Sequence, residues 1–164
     1  MSKKIMLRNV RLSYEHIFTP NALDDTQEPK YNATFIIPKD HQDLPALRKA
    51  LFEAGAEKYP NAFNGTAWPT GYTCALKDGD KDTYNDGTLL SEKNPEYAGC
   101  YVLKAASTRR PVVVDRKKAA VSEADGVIYS GCYVNASLAA GAYEFGKIKK
   151  GVTCYLNGVQ FVAD

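Results

Sequence analysis

The stretch CYVLKAASTRRPVVVDRKK, residues 100 to 118, gathers six cations, Lys104, Arg109, Arg110, Arg116, Lys117 and Lys118, around a single acid, Asp115. Fixed positive charge at this density suits a polyanion whose phosphates exchange bound counterions for lysine and arginine side chains. The competing reading is a solvated basic surface with no partner. Within the stretch, Tyr101, Leu103 and Ala105 form an inward set by their period of two, so Lys104 points away from the core. Pro111 fixes the turn that carries Arg109 and Arg110.

A second stretch, VIYSGCYVNASLAA (127 to 140), supplies rings. Alternation puts Ile128, Cys132, Val134, Ala136, Leu138 and Ala140 on one face and Tyr129, Gly131, Tyr133, Asn135 and Ser137 on the other. With the apolar set in the core, two tyrosines flank a residue without a side chain, a shape against which a flat base can lie. Packing of both rings under a loop or a helix is the alternative. Lys104, Arg109, Arg110, Arg116 and Lys117 would then track phosphates while Tyr129 and Tyr133 stack bases, provided the two strands pair. That combination binds single-stranded nucleic acid without reading its sequence. A smaller basic cluster, Lys147, Lys149 and Lys150 in FGKIKKG, falls on an expected hairpin tip, where charge also protects a sheet edge.

Other chemistries fit poorly. Asp78, Asp80 and Asp82 open like a calcium loop, but Thr83 stands where the loop needs glycine and Leu89 where it needs glutamate. The same acids could be imagined as a two-metal nuclease site, yet a rigid site draws its ligands from separate strands rather than from one turn. His16 and His41 are the only histidines, no nucleophile elbow accompanies them, and the glycines form neither a GxGxxG nor a P-loop pattern. Cys74, Cys100, Cys132 and Cys154 lie far apart without a CxxC pair and read as reduced structural thiols. No enzyme, cofactor or metal is expected.

The elements that must hold these residues follow from the same periodicities. The 164 residues suffice for one domain, 1–164, that buries roughly 70% of its unfolded surface. Strands are expected over 5–14, 30–38, near 72–77, and over 100–107, 111–115, 127–140 and 151–162, the last with a turn or bulge at Asn157-Gly158. An exposed loop is expected over 15–29 and further loops across the turn-rich, acidic region 61–97. One main α-helix spans about residues 43–58, with Leu44, Leu47, Leu51 and Ala54 as its apolar stripe, Asp43 as a cap and Pro60 as its stop. Strands without βαβ alternation imply a mostly β protein, a closed or nearly closed antiparallel β-barrel with the helix as a plug. Residues 98 to 164 carry nine Lys and Arg against five acids, so this part is positive while the rest is slightly negative. The start, MSKKIMLRNV, lacks the apolar core of a signal peptide, which predicts a cytoplasmic protein with no membrane association.

Taken in order, EPKYNATFIIPKD, DLPALRKAL, YAGCY, RRPVVVD with the preceding AS, YSGCY and LNGVQ resemble a family of tailed-phage single-stranded DNA-binding proteins, distantly similar to the T7-type phage protein. The likeness runs from about Arg8 to Gln160. It implies an OB-fold-like barrel that coats and protects single-stranded DNA during phage DNA replication, recombination or repair in the bacterial host. Phage replication or recombination proteins would be further partners, and a homo-oligomer is compatible with it. The resemblance supplies no DNA contacts, so the seven site residues rest on alternation and charge alone. It departs from replication binders with acidic tails, since LNGVQFVAD has only Asp164 near its end. Two rivals stay open: a virion structural or assembly protein, and a metal-dependent nuclease using Asp78, Asp80 and Asp82.

Overall fold

Strands with one apolar face must bury it against another layer, and here the sheet does so by curling on itself. The computed structural model describes residues 3–21, 29–84, 86–145 and 149–164; Lys147 lies outside them. The strands are β1 (Lys3–Asn21), β2 (Lys30–Pro38), β3 (Thr73–Cys74), β4 (Leu76–Asp78), β5 (Cys100–Ser107), β6 (Val112–Val114), β7 (Tyr133–Phe145) and β8 (Lys149–Ala163). The helices are α1 (Leu44–Lys58) and the single turn α2 (Leu90–Lys93).

β1, β2, β5, β8 and β7 pair in that order and β7 pairs back to β1, so the sheet closes in a ring. Its interior is filled by Leu7, Val10 and Leu12 of β1, Ala33, Phe35 and Ile37 of β2, and Leu103 and Ala105 of β5. Val134, Ala136 and Leu138 of β7 and Cys154, Leu156 and Val159 of β8 complete it, all of them buried. These are the inward faces that alternation assigns in β2, β5 and β7.

The pairing is not antiparallel throughout, contrary to expectation: β8 runs parallel to β3, β5 and β6. β5 and β6 follow one another along the same edge of β8. The return over residues 115–132 then carries the chain to the other edge, where β7 and β8 form an antiparallel hairpin. A hairpin entered from that side necessarily lays β8 in the direction of β5.

β1 is longer than predicted. Residues 15–21, expected in a loop, continue the strand against β2 with Ile17 buried; the rest of that loop, 22–28, lies outside the described residues. A bulge interrupts β1 between Leu7 and Val10, whose partners Ala136 and Val134 are only two residues apart on β7. Asn9 takes the extra position in a left-handed conformation, φ 54°. The bulge switches the inward set from odd to even numbers, which keeps Ile5, Leu7, Val10 and Leu12 all on the core side.

α1 lays Leu44, Leu47, Leu51 and Ala54 against β1, β7 and β8, as its stripe predicts. Asp43 precedes the helix but makes no side-chain cap bond. Its carboxylate instead accepts the Arg8 backbone N–H at 2.9 Å and pairs with the Arg8 guanidinium at 3.4 Å. Arg8 falls in the register break of β1, so its amide needs a partner from outside the ladder. Gly55 lets the Phe63 ring lie directly on the helix, where it meets Phe52, Tyr59, Trp68 and Tyr72.

A second apolar cluster lies outside the ring. Ile36 and Val102 face outward yet are buried, because the segment between β4 and β5 folds over them with Leu90 and Tyr97. One flank of the ring's outer surface is thereby covered. The single strand predicted near 72–77 is split into β3, which pairs with β8, and β4, which pairs with β5. No helix among the described residues is long and apolar enough to cross a membrane.

Candidate nucleic-acid interface

The other flank, where β1, β7, β8 and β6 adjoin, carries the large apolar side chains that stand exposed among the described residues. They are Met6 (45% exposed), Val112 (65%), Tyr129 (39%), Tyr133 (38%) and Tyr155 (41%). Scattered exposed residues need no explanation, but five converging on adjoining strands and the turn before β7 make this flank the candidate contact surface.

Strand register arranges this surface in transverse rows. In the first, Lys4 of β1, Ala139 of β7, Tyr155 of β8 and Ala106 of β5 stand side by side. The second runs Met6, Ser137, Gly158, Val112. The third holds Asn135, Gln160 and Val114. Arg11, Tyr133 and Ala163 form the fourth. From Ala139 to Tyr133 the rows cover about 20 Å at the usual strand rise. Small residues, Ala139, Ser137 and Gly158, floor the middle, while Met6, Tyr155 and Val112 stand above it. The Tyr155 ring lies across Gly141, where any side chain would collide with it.

The predicted cations line one long edge of this strip. Lys104 is exposed on β5, two residues before Ala106. Arg109 and Arg110 occupy the bend between β5 and β6, with the Arg109 N–H donated to Ser107 Oγ at 3.0 Å. Arg116 and Lys117 lie in the turn after β6, and the Arg116 guanidinium sits 5.5 Å from the centre of the Phe161 ring. Asp115, the acid among them, is turned into its own loop, accepting the backbone N–H groups of Lys117 at 2.8 Å and Ala119 at 3.0 Å. Ion pairs among the described residues engage Lys3, Arg8, Lys39, Lys49 and Lys93, and none engages Lys104, Arg109, Arg110, Arg116 or Lys117. Their charge is available to an anion from outside.

Two parts of the sequence reading are corrected. The cationic strand β5 does not pair with the tyrosine strand β7, because β8 lies between them. Nor do Tyr129 and Tyr133 share a strand. β7 begins only at Tyr133, and Gly131 has φ 104°, a left-handed conformation that turns the chain. The gap expected over Gly131 is occupied by the Arg11 guanidinium, whose Nε donates to the Gly131 carbonyl at 3.3 Å. Tyr129 is nonetheless held at the same end of the strip, its hydroxyl donating to the Asp164 carboxylate. That carboxylate pushes the Tyr129 phenol up to about 12.

Arg11, Lys4, Met6, Tyr155, Gln160 and Phe161 were not singled out by sequence. Arg11 and Tyr155 do stand on the polar side of their strands by alternation, the one signal available. Beyond the fourth row the surface drops into a depression of about 360 Å³ lined by Arg11, Ser13, Ile36, Glu96, Ser130 and Gly131.

The acidic turn has other work. Lys39 Nζ bridges Asp78 at 3.2 Å and Asp80 at 2.7 Å, which raises the lysine's pKa and lowers that of Asp80. Asp80 also accepts the Gly99 N–H, and Asp82 accepts that of Asp78. These carboxylates fasten the β4 turn to the end of β2 and the start of β5.

Comparison with known proteins agrees with the resemblance read from sequence. A family model described as Enterobacter phage Enc34, ssDNA-binding protein, matches residues 3–164. Protein p50 of Acyrthosiphon pisum secondary endosymbiont phage 1 is 36% identical over 167 residues, spanning 98% of this chain and 84% of that protein. The single-stranded DNA-binding protein from bacteriophage Enc34, solved in complex with ssDNA, superposes with a TM-score of 0.76 at 29% identity, over 98% of this chain and 86% of that one. The gp2.5 single-stranded DNA-binding protein encoded by bacteriophage T7 superposes with a TM-score of 0.67 over 99% and 87% of the two chains. At 15% identity this last likeness concerns the fold alone.

Proposed function

We propose, from the premise that this chain belongs to the family of the Enterobacter phage Enc34 ssDNA-binding protein, that it coats single-stranded DNA without reading sequence. By the same premise it acts inside the host cell in phage DNA replication, recombination or repair. The observation that carries the reading is the strip itself: an apolar and aromatic floor about 20 Å long with uncommitted cations along its edge. Phosphates lie against Lys104, Arg109, Arg110, Arg116 and Lys117 on one side and Arg11 and Lys4 on the other. Bases turn inward onto Tyr155, Met6, Tyr133 and Tyr129. Such contacts grip a flexible strand and reject a duplex, whose bases are already stacked and paired.

The ring is read as an OB-type barrel. Its order, β1-β2-β5-β8-β7, is that of five strands closed on one another, with the parallel β5–β8 pair as the seam. OB-type folds bind oligonucleotides on the face of their second and third strands. Here those are β2 and β5, whose outer face is covered at Ile36 and Val102 and opens only at the end of β5, where exposed Lys104 leads by way of Ala106 to Tyr155.

The test is a fluorescence-anisotropy titration of labelled oligo-dT at several salt concentrations, with matched duplex as competitor. If about four phosphates are neutralised, log K falls against log salt with a slope of about −3, and duplex competes poorly. An absence of binding at low salt would overturn the coating function and favour a role in virion structure or assembly.

A further inference from the structure

A chain of side-chain amides crosses the strip in its third row. The Asn9 backbone N–H donates to Asn135 Oδ1 at 2.9 Å, Asn135 Nδ2 donates to Gln160 Oε1 at 3.2 Å, and Gln160 Nε2 donates to the Arg116 carbonyl at 3.2 Å. Both ends are backbone groups of fixed polarity, a donor at Asn9 and an acceptor at Arg116. Only one orientation of the two amides satisfies every link, so the chain has a defined direction from β1 to the turn after β6.

The far end of that chain is where the site's charge is least secured by the sheet. β6 is three residues long and leaves the ladder at Val114, beyond which only the bridge from Val114 to Ala120 continues the pairing. The turn from Asp115 to Ala119 is closed internally by Asp115 and bends at Lys118, φ 68°. The Gln160 bond to Arg116 ties it to β8, and the Arg116 guanidinium packs against Phe161, the next residue of the same strand.

We propose that Gln160 is a positioning residue for DNA binding: by holding the Arg116 carbonyl it keeps the Arg116 and Lys117 side chains over the edge of the strip, where a phosphate can take them up. The inference rests on the strip being the DNA-binding face. Without the tie, the turn still forms but swings relative to β8, and its charge no longer adds to the counterions released on binding.

The test compares the full chain with Gln160→Met, Arg116→Ala and the double variant, using oligo-dT anisotropy across salt concentrations with melting temperature measured alongside. Gln160→Met is expected to melt near the parent, to bind several-fold more weakly, and to lose about 1.4 from the salt slope, about 0.7 for each of the phosphates met by Arg116 and Lys117. Arg116→Ala, which keeps the tie and Lys117, should lose about 0.7, and the double variant no more than Gln160→Met alone, since the glutamine change already removes the Arg116 contribution. If Gln160→Met fails to fold, Gln160→Thr, too short to reach the carbonyl, takes its place. A parental slope in the glutamine variant, or additive losses in the double, would overturn the positioning role while leaving the coating function intact. A parent chain that does not bind oligo-dT would remove both.

Discussion

Arg11 of β1 and Tyr133 of β7 are direct register partners, and the arginine reaches past the tyrosine to the carbonyl of Gly131. A cation and a ring are thus fixed next to each other by strands that meet only in the folded protein. Arg11 supplies the strip with charge on the edge opposite Arg116, so a strand lying over Tyr133 is flanked on both sides.

Charge and stacking can be separated by substitution. Tyr133→Leu should weaken oligo-dT binding by about 1 to 3 kcal/mol with the salt slope unchanged. Arg110→Ala and Arg11→Met should each make the slope shallower by about 0.7. Anisotropy titrations at several salt concentrations distinguish the two. If all three variants bind as the parent does, DNA uses another face.

Tyr129 should be among the last tyrosines to ionise. The Asp164 carboxylate accepts a hydrogen bond from its hydroxyl and disfavours a second negative charge, raising the phenol to about 12. The unfolded chain ionises this group near 10, so the folded state holds the proton more tightly between those values. The stabilisation is complete below pH 10 and disappears as pH rises through 12. Tyrosinate absorbance should lose a late component in Tyr129→Phe, and the parent's melting temperature should fall more steeply over that window than the variant's.

The thiols should be slow in the native protein. Burial pushes Cys154 up to about 12 and also raises Cys74 and Cys100, while Cys132 is fully buried. Reactivity follows the thiolate. A colorimetric thiol reagent at pH 8 should modify Cys154 and Cys132 only after denaturant is added; fast native labelling of either would contradict the packing described.

Stability and binding should divide between the two faces of β7 and its neighbours. Leu138→Ala, inside the ring, should cost about 2 to 5 kcal/mol in denaturant unfolding. Met6→Ala, in the row of Ser137 on the outer face, should stay within about 0.5 kcal/mol of the parent while weakening oligo-dT binding. The reverse pattern would mean the faces are misassigned.

Much of this was legible along the chain because burial acts locally on strands. Leu103 and Ala105, or Val134 and Leu138, are inward in any arrangement that buries one face, so period two suffices to place them. Even the β1 bulge leaves a trace, since Ile5 and Leu7 are odd-numbered while Val10 and Leu12 are even. The order of strands around the ring is a different kind of fact. Nothing near Ala106 says that Tyr155 will be its partner, and nothing near Tyr133 says that Arg11 will be, since each pairing is decided by segments far apart. Tyr129 shows the local limit: alternation carries straight through Gly131, and a left-handed glycine looks the same in sequence as an extended one. The six cations from Lys104 to Lys118 are legible because they cluster within one short stretch, whereas Arg11 and Lys4 belong to β1 and come beside the strip only when β1 meets β7.

β8 borders β3, β5, β6 and β7, all of which precede it in the chain. At about 5 to 20 residues per second of translation, the first half of β1 waits on the order of ten seconds for β7 to be made, and the seam against β5 closes later still. Throughout that interval Leu7, Phe35 and Ile37 have no enclosed interior to enter. Until β8 is made the strip lacks Tyr155, Gly158 and Gln160, and the cations of β5 and of the turns beside β6 have no strand to seat them next to β7. β8, the strand that joins β5 and β6 to β7, is thus the element whose synthesis completes the ring and the strip together.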